Sequence, residues 1–422
     1  MAFERALLIV VQLDSRFSRG KTLWRTEDET NELRELALSA GSSVVGEMVA
    51  KRHEPVPATL MGKGKIEEIA ARAAELKAQV VIFNRELSPS QQRNIEEKIG
   101  IKTIDRTQLI LDIFAQRARS QEGKLQVEMA QMRYLMPRLS GKGIMLSRLG
   151  GGIGTRGPGE QKLEMDRRNV RDQIAHLKDE LEKLSRRRQS AREHRQETKV
   201  PVFALVGYTN AGKTTLLNRL TGEEALAKNQ LFTTLDPVAR RIRLPSGQNA
   251  ILTDTVGFLH HLPHHLVEAF KATLEEAREA DVLLHVLDAS HPLVSEHATA
   301  VDEVLKELQL SDKPVMTVLN KRDLLPDQGR LEAMRRLYPL SVGISAKTGD
   351  GIDDLLVSME TQLEALLVEP SVLRIPTERM DVVASVYQTA HVLSRQSDEG
   401  YITLTVRLAP RTGGQFASYA AS

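Results

Sequence analysis

The sequence predicts an α/β fold with two doubly wound units, a helical hairpin between them and a small α+β domain at the end. Two observations carry this prediction. Short apolar runs alternate with amphipathic helical patterns over residues 1–115 and again over residues 199–367, which is typical of mostly parallel sheets covered by helices. With 422 residues, the chain is also too long for a single hydrophobic core.

The first segment, residues 1–115, is predicted to be an α/β domain of four strands and three helices. The apolar runs place the strands at residues 6–13, 43–50, 80–83 and 101–104, and the helices at 27–40, 63–78 and 89–99. Ser88 suits the N-cap of the third helix, because Pro89 fits the first turn and the Gln91 side chain can reach back to the cap.

The second segment, residues 116–198, is predicted to form a coiled-coil-like helical hairpin. One helical pattern ends at Pro137, and another covers residues 161–197 with apolar residues near heptad spacing. The intervening stretch 148–160 contains six glycines and matches G-x-G-x-x-G at 152–157. A dinucleotide fingerprint needs a strand before it and a βαβ crossover after it, and neither is predicted here. We expect a pliable loop at the hairpin tip, with a plain flexible linker as the alternative.

The third segment, residues 199–367, carries five buried-strand patterns, and the fourth, residues 370–422, is predicted to be a small α+β domain. The strands of the third segment are expected at 201–207, 249–257, 281–290, 314–320 and 340–346, with helices near 213–221, 264–280, 295–310, 328–337 and 351–367. In the fourth segment we expect a strand at 381–387, a short helix, and a strand at 401–408.

Composition excludes several classes of protein. Aromatic residues make up only 4% of the chain, which argues against a base-stacking surface for single-stranded nucleic acid. No apolar run approaches the ~20 residues that span a bilayer, and the first apolar run is predicted to be a buried strand rather than a signal peptide. The chain has no cysteine and hence no disulfide or thiolate site, which fits a cytoplasmic location.

The motif G-x-x-x-x-G-K-[ST] occurs at residues 207–214, directly after a predicted strand and at the start of a predicted helix. This is the context that a phosphate-binding loop requires. Backbone N–H groups of such a loop surround phosphate oxygens, the lysine reaches the β- and γ-phosphates, and the hydroxyl residue binds Mg²⁺. The predicted nucleotide contacts are Gly207, Tyr208, Thr209, Asn210, Ala211, Gly212, Lys213 and Thr214.

Two further stretches have the pattern of switches that respond to a γ-phosphate. The sequence D-T-V-G ends an apolar strand, where Asp254 is placed to hold Mg²⁺ through water and the Gly257 amide to sense the γ-phosphate. Residues 230–237 precede that strand, and one of their threonines is expected to complete the Mg²⁺ shell; we favour Thr234 over Thr233. The predicted metal ligands are Thr214, Thr234 and Asp254. The predicted nucleotide contacts of both stretches are Phe232, Thr233, Thr234, Leu235, Asp236, Asp254, Thr255, Val256 and Gly257.

The sequence N-K-R-D follows a predicted strand and indicates which base is bound. A carboxylate at Asp323 can accept the ring N–H and the exocyclic amine of guanine, a donor pair that adenine lacks. A loop after the next strand fits the other side of the base. The predicted base contacts are Asn320, Lys321, Arg322, Asp323, Ser345, Ala346 and Lys347, and the expected nucleotide is GTP with Mg²⁺.

The predicted hydrolytic site lacks one familiar group. Phe258 follows Gly257, where many GTPases place a glutamine that orients the attacking water. We therefore expect slow unaided turnover, on the order of 10⁻⁴ to 10⁻³ per second on the scale of small GTPases. Either the Asn210 side chain helps to hold K⁺ beside the phosphates, or a partner completes the site; the alternative role for Asn210 is to brace the switch. The predicted catalytic residues are Lys213, Thr234, Gly257 and Asn210.

These motifs resemble one family closely. The stretches GYTNAGKT (207–214), LFTTLDP (231–237), DTVGF (254–258) and HLP (261–263) are similar to the HflX GTPases of the Obg–HflX group, which are TRAFAC P-loop GTPases. The stretches DRTQLILDIFAQR (105–117), EGKL (122–125) and GGIGTRGPGE (151–160) resemble the amino-terminal half of that family. In one departure, Gln161 and Lys162 stand where the family usually has Thr and Gln, which changes the details of that region.

The resemblance implies a P-loop GTPase domain and a defined partner. It implies a cytoplasmic protein, a monomer when free, that binds the large (50S) ribosomal subunit and its 23S rRNA near the peptidyl transferase centre rather than DNA. It further implies dissociation of stalled or idle 70S ribosomes, with GTP hydrolysis tied to release and stimulated by the ribosome. Independently, residues 138–199 contain sixteen Lys or Arg against nine Asp or Glu, which fits contact with an RNA backbone or a solvated helix face. A GTP-regulated ribosome-assembly or RNA-modification factor is the alternative.

Overall fold

The computed structural model describes residues 3–13, 24–141, 158–198, 200–222, 231–232, 234, 238–259, 271–366, 371–398, 400–407 and 416–421. These residues fall into two units. The first holds the described residues up to Leu184 together with Leu231 and Phe232, and the second holds the remaining ones from Ser185 onward.

The first unit is built on a parallel sheet with the strand order β2-β1-β3-β4. The alternating elements are β1 (Glu4–Leu13), α1 (Thr26–Ser39), β2 (Ser42–Arg52), α2 (Lys63–Glu75), β3 (Val80–Phe83), α3 (Pro89–Ile99) and β4 (Lys102–Asp105). All three strand pairs are parallel. The central strands are buried on both faces, so they are continuous apolar runs rather than alternating ones. The strands and helices predicted for this segment are confirmed.

The start of α3 shows why the local prediction succeeds. The Ser88 hydroxyl accepts the Gln91 N–H, and the Gln91 side chain accepts the Ser88 N–H, which forms a capping box with Pro89 in the first turn. Gly100 then ends the helix with φ of +80°, a conformation that favours glycine.

Three more helices complete the first unit. They are α4 (Arg106–Arg117), α5 (Gln121–Leu135), which continues into a 3₁₀ turn (Met136–Gly141), and α6 (Pro158–Thr198), within which the unit ends at Leu184. Asp105 caps α4, since its carboxylate accepts the Gln108 N–H and also the Leu87 N–H, both at 2.9 Å. Residues 142–157, which include residues 148–157 of the glycine-rich stretch, lie outside the described residues, so the hairpin with its tip loop stays a prediction.

The second unit contains a larger sheet with the strand order β10-β9-β8-β5-β7-β6. Its elements are β5 (Val202–Gly207), α7 (Lys213–Thr221), β6 (Val238–Arg243), β7 (Asn249–Asp254), α8 (Lys271–Glu279), β8 (Val282–Asp288), α9 (Val294–Glu307), β9 (Val315–Asn320), α10 (Gln328–Leu337), β10 (Ser341–Gly343) and α11 (Ile352–Leu366). Only β6 runs antiparallel among these strands. The doubly wound, mostly parallel sheet predicted for this segment is therefore confirmed. The edge strand β6 was not predicted, because Ile242 is its single buried residue.

The last part of the second unit corrects one prediction. Residues 381–387 were expected to form a strand, but they lie in α12 (Met380–Thr389). This helix covers an antiparallel sheet of β11 (Ser371–Pro376), β13 (Tyr401–Arg407) and β12 (His391–Asp398). Val382, Val383 and Val386 are buried at helical spacing in the same core as the strands. Packing of this face outweighs the β propensity of valine, which is a weak preference. The strands β11 and β12 were missed.

None of the helices in the described ranges combines the length and apolar character needed to cross a membrane.

Candidate functional site

The predicted phosphate loop forms the turn between β5 and α7, at the carboxyl edge of the six-stranded sheet. β5 lies between β7 and β8, so this edge is a topological switch point, where doubly wound sheets bind ligands. A β-carbon added at Gly207 (φ +155°) would lie 2.3 Å from the Val286 carbonyl oxygen, and one added at Gly212 (φ +97°) would lie 2.2 Å from Asn320 Nδ2. The close approach of these neighbours explains why both positions are glycine.

Lys213 opens α7 and is folded over this loop. Its ammonium donates to the carbonyl oxygens of Gly207 at 2.9 Å and Tyr208 at 2.8 Å. Burial lowers the pKa of Lys213 to about 8, and the nearby Asp254 carboxylate opposes that shift. The ring of Tyr208 stacks on His297 of α9 at 3.8 Å between centroids. The loop is thus held by the hydrogen bonds of Lys213 to its carbonyl groups and by the packing of Tyr208 on α9.

Three side-chain oxygen atoms meet at the ends of distant segments. Thr214 Oγ1 lies 2.8 Å from Thr234 Oγ1, and each hydroxyl lies 2.7 Å from Asp254 Oδ2. Burial raises the pKa of Asp254, while Lys213 and the two threonine hydroxyls lower it. Two ligands at right angles around Mg²⁺, each ~2.1 Å from the ion, are ~3.0 Å apart. The 2.8 Å spacing of the two threonine hydroxyls therefore fits two neighbouring positions of an octahedral Mg²⁺ shell, and the Asp254 carboxylate lies where it can hold the ion through water.

Two buried polar atoms beside these groups, one of Asp254 and one of Thr209, can accept or donate further hydrogen bonds. Asp254 Oδ1 and Thr209 Oγ1 are buried and have no hydrogen-bond partner within the described part of the chain. Buried polar atoms in native proteins are normally paired. The loop and the carboxylate are therefore built to accept a polar ligand, which agrees with phosphate and a hydrated cation.

The segment after β7 is joined to the phosphate loop through its backbone. The Phe258 N–H donates to the Gly207 carbonyl at 3.1 Å, and the Thr209 N–H donates to the Phe258 carbonyl at 2.8 Å. A β-carbon at Gly257 would lie 2.7 Å from Thr209 Cγ2 and 3.1 Å from Lys213 Nζ. Gly257 therefore lies directly against the loop. The residue after it, where many GTPases have a water-orienting glutamine, is Phe258, and its side chain is buried.

Asn320, the first residue of the N-K-R-D motif, forms hydrogen bonds with two loops of the site. Asn320, at the end of β9, donates through Nδ2 to the Ala211 carbonyl at 2.8 Å and accepts the Ala346 N–H through Oδ1 at 3.0 Å. One buried amide thus connects the phosphate loop with the loop after β10.

The other motif residues are placed differently. Lys321 adopts φ of +62° and forms an ion pair with Asp288 at 2.7 Å, while Arg322 lies 3.3 Å from an oxygen of Asp350. Asp323 is exposed in a 3₁₀ turn, so its carboxylate is accessible to a base.

The loop of Ser345, Ala346 and Lys347 is held by an arginine from the phosphate-loop helix. Ser345 is fully buried, and its hydroxyl accepts the Thr348 N–H at 3.1 Å. Arg219, near the end of α7, donates to the carbonyl oxygens of Ala346 at 3.2 Å and of Lys347. The loop therefore presents its exposed Lys347 from a fixed backbone.

Sequence reasoning missed Arg219, Asp288 and Asp350 as residues that support the site. Asp288 had a detectable signal, because it ends the apolar run of β8 at the same sheet edge as the motif residues. No signal in the sequence identified Arg219 and Asp350, because only the fold brings their partners close to them.

The remaining predicted residues fall into three groups. Thr255 and Val256 are buried, and the Thr255 hydroxyl donates to the Leu205 carbonyl at 2.6 Å, so Thr255 joins the end of β7 to β5. Phe232 is buried in the first unit, against Phe114. Thr233, Leu235 and Asp236 lie outside the described residues. Among the residues that the structure describes, no cluster of three or more His, Asp or Glu side chains forms a separate metal site.

Comparison with known proteins assigns the chain to a family. Four family models match it in order: "GTP-binding GTPase N-terminal" at residues 27–115, "GTP-binding GTPase Middle Region" at 117–195, "50S ribosome-binding GTPase" at 202–321 and "HflX C-terminal domain" at 336–417. A GTP-binding protein from Sulfolobus solfataricus, solved with GDP, is 25% identical over 85% of this chain and 98% of that one, with a TM-score of 0.45.

Relatives at higher identity cover nearly the whole chain. The GTPase HflX of Escherichia coli (strain K12) is 42% identical over 409 residues, which are 96% of this chain and 94% of that protein. The GTPase HflX of Caldanaerobacter subterraneus subsp. tengcongensis is 50% identical over 337 residues, which are 80% of this chain and 77% of that protein. The chain therefore belongs to the HflX family of GTPases, and it binds and hydrolyses GTP.

Proposed function

We propose that this GTPase is a Mg²⁺-dependent switch that binds the large ribosomal subunit in the cytoplasm and separates the subunits of stalled or idle 70S ribosomes. The observation that carries the switch is the meeting of Thr214, Thr234 and Asp254 within 2.8 Å of one another. Thr234 belongs to a stretch that a γ-phosphate and Mg²⁺ order in GTPases of this kind. The ordered state is therefore the one expected with GTP bound.

The proposed site holds the nucleotide through the phosphate loop. Lys213 is expected to leave the carbonyls of Gly207 and Tyr208 and to pair with phosphate oxygens. A buried ammonium is costly without a negatively charged partner, and phosphate provides that partner. Bound Mg²⁺, held by Thr214, Thr234 and, through water, Asp254, would neutralise charge on the phosphates. The Gly257 N–H is proposed to contact the γ-phosphate.

Base selection is proposed to rest on two loops. Asp323 accepts the two N–H groups on the Watson–Crick edge of guanine, and the backbone of residues 345–347 supports the base from the other side. Asn320 is proposed to contact the base and also to position both loops, since its amide donates to Ala211 and accepts from Ala346.

The hydrolytic step is proposed to need outside help. The buried Phe258 cannot orient water, so a partner or a monovalent cation near Asn210 must supply that role. Asn210 is half-buried in the turn of the loop, with φ of +61°. We propose that the ribosome stimulates hydrolysis and that the GDP state is released.

Three observations support a ribosomal partner. The family model over residues 202–321 is described as a "50S ribosome-binding GTPase". Residues 138–199 have a basic excess that suits an RNA backbone. The glycine-rich stretch 148–160 contains Arg148 and Arg156. A loop of small residues with two basic side chains suits insertion into a crowded RNA site. We propose contact with 23S rRNA near the peptidyl transferase centre, by a protein that is monomeric when free.

Sedimentation tests this function directly. We would mix 70S ribosomes with the protein and a non-hydrolysable GTP analogue and resolve the particles on a sucrose gradient, with GDP and the Thr234→Ala variant as controls. We expect free subunits and protein that travels with the large subunit only in the analogue sample with the unaltered chain. Binding to large subunits without any gain in free subunits would instead favour the ribosome-assembly or RNA-modification role. No binding at all would refute the ribosomal proposal.

A further inference from the structure

The edge strand β6 of the six-stranded sheet carries a cluster of exposed arginines. Three of its six residues are arginines that are exposed to solvent, namely Arg240, Arg241 and Arg243. Residues 238–253, which cover β6, the turn and β7 as far as the residue before Asp254, contain no Asp or Glu. This hairpin of the second unit therefore has a basic surface without an acidic residue of its own to neutralise it.

Arg241 and Arg243 lie on the same face of the strand. Side chains alternate between the two faces of a strand, and Ile242 between them is buried in the core of the unit. The two arginines therefore project away from that core, with α-carbons ~6.8 Å apart at the rise of an antiparallel strand. Neither forms an ion pair with a residue that the structure describes. The pair can thus engage two neighbouring anionic groups of one extended polyanion.

The hairpin holds this surface in a fixed shape. β6 is paired with β7 along its whole length. At the turn, the Leu244 N–H donates to the Gln248 carbonyl at 2.9 Å, and the Ser246 N–H donates to the Glu360 carboxylate of α11 at 3.1 Å. A surface that is formed before binding loses little conformational entropy when a partner arrives.

Charges on an edge strand also have a simpler role, which is to prevent pairing with strands of other molecules. Lysine is the residue most used for that purpose, whereas all three charged residues of β6 are arginines. A guanidinium group binds phosphate through two parallel hydrogen bonds, which an ammonium group cannot do. The use of arginine therefore favours a phosphate-bearing partner.

We propose that Arg241 and Arg243 form a contact for the phosphate groups of an RNA backbone, in addition to the contact proposed for residues 138–199. The inference rests on the proposed ribosomal partner and adds a surface of the second unit to it. β7 ends at Asp254 of the proposed Mg²⁺ site, and Val238 of β6 is paired with Asp254. RNA held at β6 therefore contacts the same hairpin that supplies a group to the nucleotide site.

The first test measures the affinity for purified large ribosomal subunits, with a non-hydrolysable GTP analogue, over a range of potassium chloride concentrations. Arg241→Gln/Arg243→Gln should bind more weakly than the unaltered chain. The slope of log K against log salt should become less steep by about 1.4 to 1.8, because two phosphate contacts are lost.

Arg335→Gln/Arg336→Gln is the matched control, because it removes the same charge from two exposed arginines of α10. This control should keep the salt slope of the unaltered chain. Both double variants should keep the melting midpoint and the nucleotide affinity of the unaltered chain, since all four side chains are exposed and none is assigned to the nucleotide site.

The second test identifies what lies next to the surface. The chain has no cysteine, so Ala239→Cys adds a single thiol at an exposed position on the same face as Arg241. An iron chelate attached to this thiol generates hydroxyl radicals, which cleave nearby RNA backbone whatever its sequence. We expect cuts in the RNA of the large subunit, located by primer extension. Ala333→Cys, at an exposed position of α10, should not give the same cuts.

Three results would overturn the inference while the unaltered chain still binds large subunits. They are an unchanged salt slope in Arg241→Gln/Arg243→Gln, an equal change in the α10 control, and a chelate at position 239 that cuts no RNA. A photocrosslinker on the same thiol that joins only a ribosomal protein would also overturn it, in favour of an acidic protein partner. If the unaltered chain binds no large subunits, the proposed function fails and this inference fails with it.

Discussion

The side-chain amide of Asn320 donates to the carbonyl oxygen of Ala211 at 2.8 Å, which ties the end of β9 to the phosphate loop. The same amide accepts the Ala346 N–H. The first residue of the N-K-R-D motif therefore holds two loops in a fixed position. The phosphate loop and the loop after β10 are coupled through this one buried side chain.

Replacement of Asn320 by Asp keeps the shape but removes the donor to Ala211. A buried polar group left without its partner costs about 1–3 kcal/mol, so we expect GTP and GDP affinity to fall about 5- to 150-fold. Calorimetric titration measures this, and thermal melting without nucleotide should show a lower midpoint. Asp323→Asn is the contrast, because that residue is exposed: it should reduce guanine affinity and leave the melting midpoint unchanged. Normal affinity in Asn320→Asp would contradict the role of the bridge.

Gly257→Ala should impair the site through crowding. The added β-carbon would lie 2.7 Å from Thr209 Cγ2, 2.9 Å from Thr209 Cα and 3.1 Å from Lys213 Nζ, so the loop or the glycine must move. Overpacking of about 1–3 kcal/mol corresponds to a loss of about 5- to 150-fold in single-turnover GTP hydrolysis. Gly64→Ala is the matched control, since nothing lies within 4 Å of its added β-carbon. Equal rates for the two variants would refute this prediction.

Arg219→Ala should loosen the loop at residues 345–347, which is proposed to support the base. Arg219 donates to the carbonyls of Ala346 and Lys347 from an exposed position, where solvent weakens its hydrogen bonds. We expect the dissociation constants of GTP and GDP to rise by a similar factor of about threefold, with partial recovery in Arg219→Lys. Fluorescent-nucleotide titration provides the measurement. A change confined to GTP would mean that Arg219 acts on the phosphate side instead.

His297 makes the second unit sensitive to acid. Burial lowers the pKa of His297 to about 3, with a smaller contribution from His291. Because the folded state keeps this imidazole neutral while the unfolded chain takes up a proton below about pH 6.5, stability is retained at pH 7.5 and is lost as the pH falls through that value. At pH 5 the loss from this residue is about 2 kcal/mol.

His297→Phe keeps a ring against Tyr208 and cannot be protonated. Chemical denaturation at pH 7.5 and pH 5 should show a smaller acid-induced loss of unfolding free energy in this variant than in the unaltered chain. His176→Phe is the control, because His176 is exposed on α6. The same pH dependence in His297→Phe and the unaltered chain would show that other groups cause the acid sensitivity.

Asn210 is the test of the proposed cation. If its side chain helps to hold K⁺ beside the phosphates, GTP turnover should be faster in K⁺ than in Na⁺, and Asn210→Ala should remove that difference. Steady-state phosphate release in matched chloride salts measures it. Equal turnover in the two salts would exclude the cation and leave the partner as the source of stimulation.

Much of the fold was predictable because its signals are local. The alternation of apolar strands with capped helices, such as α3 between Ser88 and Gly100, depends on residues a few positions apart. The strand at 381–387 failed for the opposite reason: Val382, Val383 and Val386 favour a strand on propensity, and only the sheet of β11, β12 and β13 against them makes this segment a helix. A valine-rich run of this length does not distinguish the two.

The sequence by itself determined the strand–loop–helix of the phosphate loop and the order of the α/β units, because glycine requirements, helix caps and hydrophobic periods act over short spans of chain. Only the tertiary structure decided which other distant groups meet: Arg219 with the loop at residues 345–347, and Phe232 with Phe114. Such pairs leave no spacing rule in the sequence. They arise because close packing of the folded chain brings separate segments to one place.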